Sequence, residues 1–401
     1  MMIGSDSGVR GDMLKIASYE ILGKLPDPFL FDDGRRVASR EDWTARRREL
    51  YGKVIELQYG VMPPENEFTE FETLYDSRTT KVFRIKAGPR SSPVTFRMKL
   101  ILPDGVKEPP VIVDGDLCFN YAMDREWLNA ALDSGVAWAL FDRTELANDL
   151  AGENGRAKGQ LFDAYKDLDC GAIGAWAWGY SRVVDVLERL SITDNDCIAF
   201  TGHSRGGKTC ALAGALDTRA AIVNPNETCA GACSCYRTHL CACYAGDEQD
   251  SHSETLKDLL HNFSFWMGPD LGKYADREED LPFDCHELKA MIAPRTLFVS
   301  EAAGDIWANP VGSWQTTLAA KEVYSFLGAE NELFWYFRPG KHFHKVGDVR
   351  MLVSLIKRRQ SGGADFCADG FFKLPFDPGS VGRIFDWKAP EIKNLRQYGN
   401  I

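Results

Sequence analysis

The spacing of apolar positions changes along this chain. Glu70–Tyr75, Thr80–Ala87 and Val94–Ile101 mix apolar with polar positions, are rich in threonine and valine, and are separated by polar turns. That is the pattern of half-buried strands, and it predicts an antiparallel start to a sheet. Further on the pattern becomes short unbroken apolar runs: Pro110–Val113, Ala137–Phe141, Cys197–Thr201, Ala220–Val223, Arg295–Ser300 and the aromatic Leu333–Phe337. Runs this short, bounded by Gly, Asp or Pro, are what strands buried on both faces look like. Helical stretches lie between them. The longest, Ala172–Leu190, carries Trp176, Val183, Val184, Leu187 and Leu190 at helical spacing and should close at Ser191, with its aromatics in the core. Strands alternating with helices imply a mostly parallel central sheet with right-handed crossovers and helices on both faces, an α/β three-layer sandwich.

Two segments read differently. Trp43–Tyr51, with Arg46, Arg47, Arg48 and Glu49 in helical register, is expected to be a solvated helix face. After Lys357 the chain has Gly362, Gly363, Gly370, Pro375, Pro378 and Gly379 and no sustained period, which predicts an irregular wrap over the domain or partial disorder. No internal repeat or low-complexity tract is present. The organisation expected is an N-terminal extension over 1–24, one elaborated α/β domain over 25–360 and an irregular tail over 361–401.

Composition narrows the function. With 401 residues, 44% hydrophobic and 26% charged, the chain can bury one large core, which excludes disordered, collagen-like and coiled-coil classes. Fifty-eight acidic against 47 basic residues give a net charge of -11 with no basic stripe, so a nucleic-acid partner is not expected. No run approaches the roughly 20 apolar residues of a membrane span. The eleven cysteines are an odd number, and those at 197, 210, 229, 233, 235, 241 and 243 crowd into one region without a secreted disulfide pattern. The chain as given is therefore expected in a reducing, cytoplasmic compartment, or secreted if a signal has been removed. The one-residue gaps among Cys229, Cys233, Cys235, Cys241 and Cys243 are not structural-zinc spacing, so buried thiols and no metal are expected.

The strongest chemical signal is Gly202-His203-Ser204-Arg205-Gly206, directly after the apolar run Ile198–Thr201 and before the small-residue helix Lys208–Ala215. In a nucleophile elbow the serine occupies a strained strand-to-helix turn, and small residues on either side let the backbone pass. The alternative is a tight turn in which Ser204 merely caps the helix. A serine hydroxyl needs a histidine to take its proton and an acid to orient that histidine, in the chain order serine, acid, histidine on this fold. Of the seven histidines, His342 ends a turn after the Leu333–Phe337 strand and is the first candidate, with His344 next. Glu227, at the end of the Ala220–Val223 strand segment, and Asp305, after the Thr296–Ser300 strand, both qualify as the acid, and spacing alone leaves the two open.

Thr201-Gly202-His203-Ser204-Arg205-Gly206-Gly207-Lys208-Thr209 resembles the nucleophile motif of glucuronoyl esterases, carbohydrate esterase family fifteen. Leu281-Pro282-Phe283-Asp284, His286-Glu287-Leu288, Ile292-Ala293-Pro294-Arg295, Gly304–Pro310 and Gly340-Lys341-His342 agree with the same family. So do Leu25-Pro26-Asp27-Pro28, Asp33-Gly34 and Tyr59–Pro63, so the likeness spans about residues 25 to 358 and is nearer to the bacterial branch. It implies hydrolysis of 4-O-methylglucuronoyl esters on xylan or xylooligosaccharides through an acyl-enzyme, with no cofactor. Carried over position by position, it makes Ser204 the nucleophile, His342 the base and acid, Glu227 the first choice of triad acid and Asp305 the second. It also places Arg205 in the oxyanion hole, and Lys208, Glu254 and Trp307 on the uronate. Thr228–Cys233 departs from the family's Ser-Gly-Cys-Gly-Gly-Ala loop and keeps only its size pattern. An acetyl xylan or other carbohydrate esterase, and a catalytically retired carbohydrate-binding scaffold, are the alternative readings. Oligomeric state is not written in the sequence.

Overall fold

The computed structural model describes residues 14–245, 248–250, 252–364 and 366–391. The strands are β1 (Leu14–Ile21), β2 (Phe68–Asp76), β3 (Thr80–Gly88), β4 (Val94–Ile101), β5 (Val111–Asp114), β6 (Ala137–Phe141), β7 (Ile198–His203), β8 (Ala220–Asn226), β9 (Thr238–Ala245), β10 (Glu248–Asp250), β11 (Thr296–Ala302) and β12 (Leu333–Arg338). The main helices are α1 (Arg40–Leu50), α2 (Arg125–Leu132), α3 (Ala172–Leu190), α4 (Arg205–Leu216), α5 (Leu256–Phe263), α6 (Cys285–Ala290), α7 (Pro310–Phe326) and α8 (Val346–Gln360).

A nine-stranded sheet runs in the order β12-β11-β8-β7-β5-β6-β4-β3-β2. β2, β3 and β4 are antiparallel, β4 pairs antiparallel with β6, and from β6 to β12 every pairing is parallel. Side chains alternate between the faces, as the strand period requires. Ile112, Ala199, Ile222, Phe298 and Phe334 meet Trp127 of α2 and Leu352 and Ile356 of α8 on one face. Val111, Val113, Phe200, Val223 and Val299 meet α3, α4, α6 and α7 on the other. This is the three-layer α/β-hydrolase architecture. Trp176, Trp178 and Tyr180 of α3 are buried, and the helix closes at Ser191 in a left-handed conformation.

The expectation for Trp43–Tyr51 holds for one face only: Arg48 is exposed and Arg47 and Glu49 are half-buried, but the other face is not solvated. Trp43, Arg46 and Leu50 are buried. Arg46 donates from Nε to Pro28 O and pairs with Asp32 and Glu49. Arg47 donates to Met291 O and Ala215 O, while Arg295 donates to Gly214 O, Asp217 O and Ala220 O. Five donors on a long stem let an arginine satisfy the orphan carbonyls at helix ends, so a charge-rich helix can still be buried.

β1, from the segment expected to be an extension, pairs antiparallel with β9, and β9 with β10, forming a separate three-stranded sheet. Residues 366–391 are irregular apart from one short turn of helix, yet Phe371, Phe376, Ile384, Phe385 and Trp387 are buried. Residues 1–13 and 392–401, the outer parts of the expected extension and tail, lie outside the described residues. Among the described residues no helix is long and apolar enough to cross a membrane.

Candidate active site

Strand order brings the sequence candidates together. β7, β8, β11 and β12 are parallel neighbours, with His203 opposite Asn226, Asn226 opposite Ser300, and Ala302 opposite Arg338. Their carboxyl ends therefore deliver Ser204, Glu227, Asp305 and His342 to one edge, where open α/β sheets carry their sites.

At the end of β7 the chain turns at Ser204 with φ 57 and ψ −118 and enters α4. A positive φ at a non-glycine residue is strained and persists only where the surroundings impose it. The flanking glycines are required: a Cβ at Gly202 would lie 2.4 Å from Gly206 O, and one at Gly206 would lie 2.2 Å from both oxygens of Asp116. Ser204 N–H donates to Asn226 O at 2.9 Å. Asp116 Oδ2 accepts from His203 N–H at 2.8 Å and from Tyr121 Oη at 2.5 Å. Asp116 also pairs with Arg143, whose buried guanidinium sits between the rings of Phe119 and Trp176. Asp116 and Arg143 thus anchor the turn from behind.

His203 Nδ1 lies 2.7 Å from Asn226 Oδ1. Asn226 Nδ2 donates to Ser300 Oγ, so Oδ1 is the acceptor and the network assigns the His203 proton to Nδ1. Burial, then the charges of His342 and His344, hold this imidazole well below its ordinary pKa, so it stays neutral. Its ring centroid is 4.5 Å from that of His342.

His342 Nδ1 faces two carboxylates, Asp305 Oδ2 at 2.6 Å and Glu227 Oε2 at 3.2 Å. Burial pushes its pKa down, but hydrogen bonds to Asp305 and then Glu227 outweigh it and carry the imidazole up to about 9. Glu227 is fully buried at φ 45, accepts Phe343 N–H at 2.9 Å and pairs with Arg338. Burial is the largest influence on it, and with the Asp305 charge it raises the carboxyl to about 8 against the opposing pull of His342 and Arg338. Arg338 in turn bonds Asp348 at 2.9 Å and the carbonyls of Pro339, Lys341 and Phe343, fixing the loop that carries His342.

Arg205 Nη1 pairs with Asp149 Oδ2 at 2.7 Å, and Asp149 Oδ1 accepts from Trp266 Nε1 at 2.9 Å. The guanidinium lies 4.6 Å over the Trp266 ring, which stacks on Phe263. Lys208 is buried, with Nζ 3.5 Å from Glu254 Oε2, and the same oxygen accepts Ala230 N–H. Glu254 N–H donates to Trp307 O, and the half-buried Trp307 ring stands against His252. All eight sequence candidates therefore fall into one constellation. Asp116, Asp149, Asn226 and Arg338 join it without having been singled out, because no spacing rule flags a residue that acts through another. Cys229, Cys233 and Cys235 are buried free thiols as expected, whereas Cys241 is exposed, contrary to the expectation, and the Cys243 side chain lies outside the described residues. Ligand atoms of Cys229, Asp305 and His342 lie within 4.8 Å of one another, as do those of His203, Glu227 and His342.

Fold and elbow together define an α/β-hydrolase, and the carboxylate-held imidazole of His342 stands at the same sheet edge as the elbow serine. The chain belongs to the glucuronoyl esterase family and is a carboxylic-ester hydrolase: the family model described as glucuronyl esterase, fungi, matches residues 85–328. The 4-O-methyl-glucuronoyl methylesterase 1 of Wolfiporia cocos is 31% identical over 330 residues, 80% of this chain and 76% of that one. The 4-O-methyl-glucuronoyl methylesterase of Podospora anserina is 29% identical over 354 residues, 86% of this chain and 70% of that one. A solved structure of a family 15 glucuronoyl esterase from Caldicellulosiruptor kristjansonii matches with a TM-score of 0.76 at 27% identity, over 88% of this chain and 96% of that one.

Proposed function

We propose that this hydrolase cleaves 4-O-methylglucuronoyl esters of xylan or its fragments, with Ser204 as nucleophile and His342 as general base and acid. The observation that carries the reading is the buried Lys208–Glu254 pair beside the elbow, with Glu254 joined to Trp307 through the backbone. Lys208 offers only donors and Glu254, when ionised, only acceptors. Sugar hydroxyls both donate and accept, so a row of them can meet both groups while Trp307 offers a face to the pyranose ring. A simple acyl ester has no use for such a pair.

In this mechanism His342 takes the Ser204 proton as Oγ attacks the ester carbonyl. Asp305 and Glu227 hold Nδ1 and stabilise the imidazolium that forms. The negative charge on the carbonyl oxygen develops at the start of α4, where first-turn N–H groups have no partner within the helix. The Arg205 guanidinium adds a charge-assisted donor there. The imidazolium then protonates the leaving alcohol, and water activated by the same imidazole releases the uronic acid from Ser204.

The test is hydrolysis of benzyl glucuronate beside an acetylated xylooligosaccharide, by wild type and Ser204→Ala. Turnover of the uronate ester alone, lost in the variant, is the expected result. Turnover of the acetate alone would keep the nucleophile and discard the substrate, and turnover of neither would favour a binding scaffold.

A further inference from the structure

Cys229 stands two residues beyond Glu227 with φ 56, a left-handed backbone that glycine adopts freely and cysteine only under strain. That conformation places a buried thiol at the catalytic edge of the sheet. Its recorded hydrogen-bond acceptor is the Glu227 carbonyl at 3.7 Å, long even for sulfur. Cys229 Sγ, an Asp305 oxygen and a His342 nitrogen lie within 4.8 Å of one another, and the His203, Glu227, His342 triplet shares the imidazole. His203 keeps its proton on Nδ1 toward Asn226, which leaves Nε2 as a free lone pair. Two such triplets, sharing His342, thus lie at the ends of β7, β8, β11 and β12, and one of them brings together a sulfur, an imidazole and a carboxylate. That donor set is the one zinc-like ions select, and it is unlike the all-oxygen cages of calcium or magnesium.

We propose that the catalytic edge is also an inhibitory site for a thiophilic divalent ion of the zinc type, held by Cys229 Sγ, His342 and Asp305, with water completing the shell. The inhibition rests on His342 being the general base, and the binding does not. Zinc–sulfur and zinc–nitrogen bonds are about 2.3 and 2.0 Å, so tetrahedral ligands stand about 3.3–3.6 Å apart, and the 2.6 Å contact of His342 Nδ1 with Asp305 Oδ2 must open as the ion enters. His342 can supply that movement by rotation of its side chain, which is 38% exposed. On binding, the Cys229 S–H bond breaks, a sulfur–metal bond forms and the proton leaves to solvent, with no change of oxidation state. With its lone pair on the ion, the imidazole no longer takes the Ser204 proton, and hydrolysis stops until a chelator removes the metal.

Cobalt(II), a spectroscopic stand-in for zinc, tests the binding without reference to hydrolysis. Wild type is expected to show a thiolate-to-cobalt absorption band that saturates at about one equivalent. Cys229→Gly, which suits the left-handed backbone, and Cys229→Ser should both lose it. The exposed thiols of Cys118, Cys241 and Cys367 remain in every variant, so the difference reports Cys229 alone. Metal-free Cys229→Gly should hydrolyse substrate like wild type, while the zinc concentration for half-inhibition rises by about tenfold or more. A band undiminished in Cys229→Gly, no band in wild type, or unchanged zinc sensitivity would overturn the proposal. Failure of metal-free wild type to hydrolyse the uronate ester would count against the proposed function, and the cobalt band would still decide the metal site.

Discussion

Two carboxylates on one imidazole nitrogen are the feature of the site with the most direct kinetic consequence. They raise His342 to about 9 although burial opposes them, and the mechanism proposed above requires this base to be neutral. The acid limb of kcat/KM is therefore expected above the ordinary histidine pKa of about 6.5. Asp305→Asn removes the nearer carboxylate, so the limb should move to lower pH while turnover falls by about ten- to a hundredfold, because Glu227 still faces Nδ1. The double variant with Glu227→Gln should approach the loss of about 10⁴ seen when a triad acid is neutralised. A pH–rate series on wild type, Asp305→Asn and the double variant checks this. Near-normal turnover in Asp305→Asn alone would make Glu227 the principal acid. Asp149 acts one step further out, holding Arg205 between a carboxylate and the Trp266 ring. Asp149→Asn should lower kcat by about tenfold and leave KM nearly unchanged, as expected when a charge-assisted bond that matters at the oxyanion is weakened.

At the scale of elements, the legible parts of the fold were those with a strong period. Ala137–Phe141 and Ala172–Leu190 have the boundaries that the apolar pattern indicates, and the elbow stands where strand gives way to helix. The three-stranded sheet of β1, β9 and β10 escaped the pattern because β1 and β9 lie more than 200 residues apart in the chain and β9 reads as part of a cysteine-rich stretch. The buried arginines of α1 escaped because burial of a guanidinium depends on carbonyls that only the fold supplies. Motif residues outside the site prove to be framework. His286 Nε2 lies 3.0 Å from Pro26 O, and Asp284 takes Arg237 and the N–H groups of Tyr236 and Cys285. The elbow itself has little steric tolerance. Gly206→Ala forces a methyl group into the Asp116 carboxylate. It should destabilise the protein by about 1–3 kcal/mol in chemical denaturation and depress turnover more than that loss of folded protein explains.

For the molecule as a whole, buried ionisable groups set how stability varies with pH. Burial raises Glu227, Glu287 and Glu301 to about 8, and His342 is carried up to about 9. Each binds its proton more tightly folded than unfolded, so each withdraws stability as pH rises from the unfolded value to the folded one. The buried imidazoles work the other way: His203 is depressed well below 6.5, His286 to about 4 and His344 to about 3, and they cost stability as pH falls below 6.5. Above pH 6.5 only the first group still titrates, and the melting temperature should decline between pH 6.5 and 9. Glu287 is the cleanest test, since both its oxygens lack hydrogen-bond partners among the described residues and Arg46 Nη2 is 4.0 Å away. Glu287→Gln should flatten the decline by up to one proton's worth, about 1.4 kcal/mol per pH unit. Thermal melts across that range, with an unchanged slope as the contrary result, decide it.

Arg338 ties the whole-molecule scale back to the catalyst. Its guanidinium joins Asp348 of α8, Glu227 beyond β8 and three carbonyls of the loop that presents His342. Such a loop has no cheap local opening of its own, and its amides should exchange with solvent only when the surrounding sheet opens. Operational lifetime then becomes a property of the fold, with heat inactivation and unfolding occurring together. Arg338→Leu should pull the two apart, because a chain freed of that rivet loses its working imidazole at temperatures where circular dichroism still reports an intact sheet.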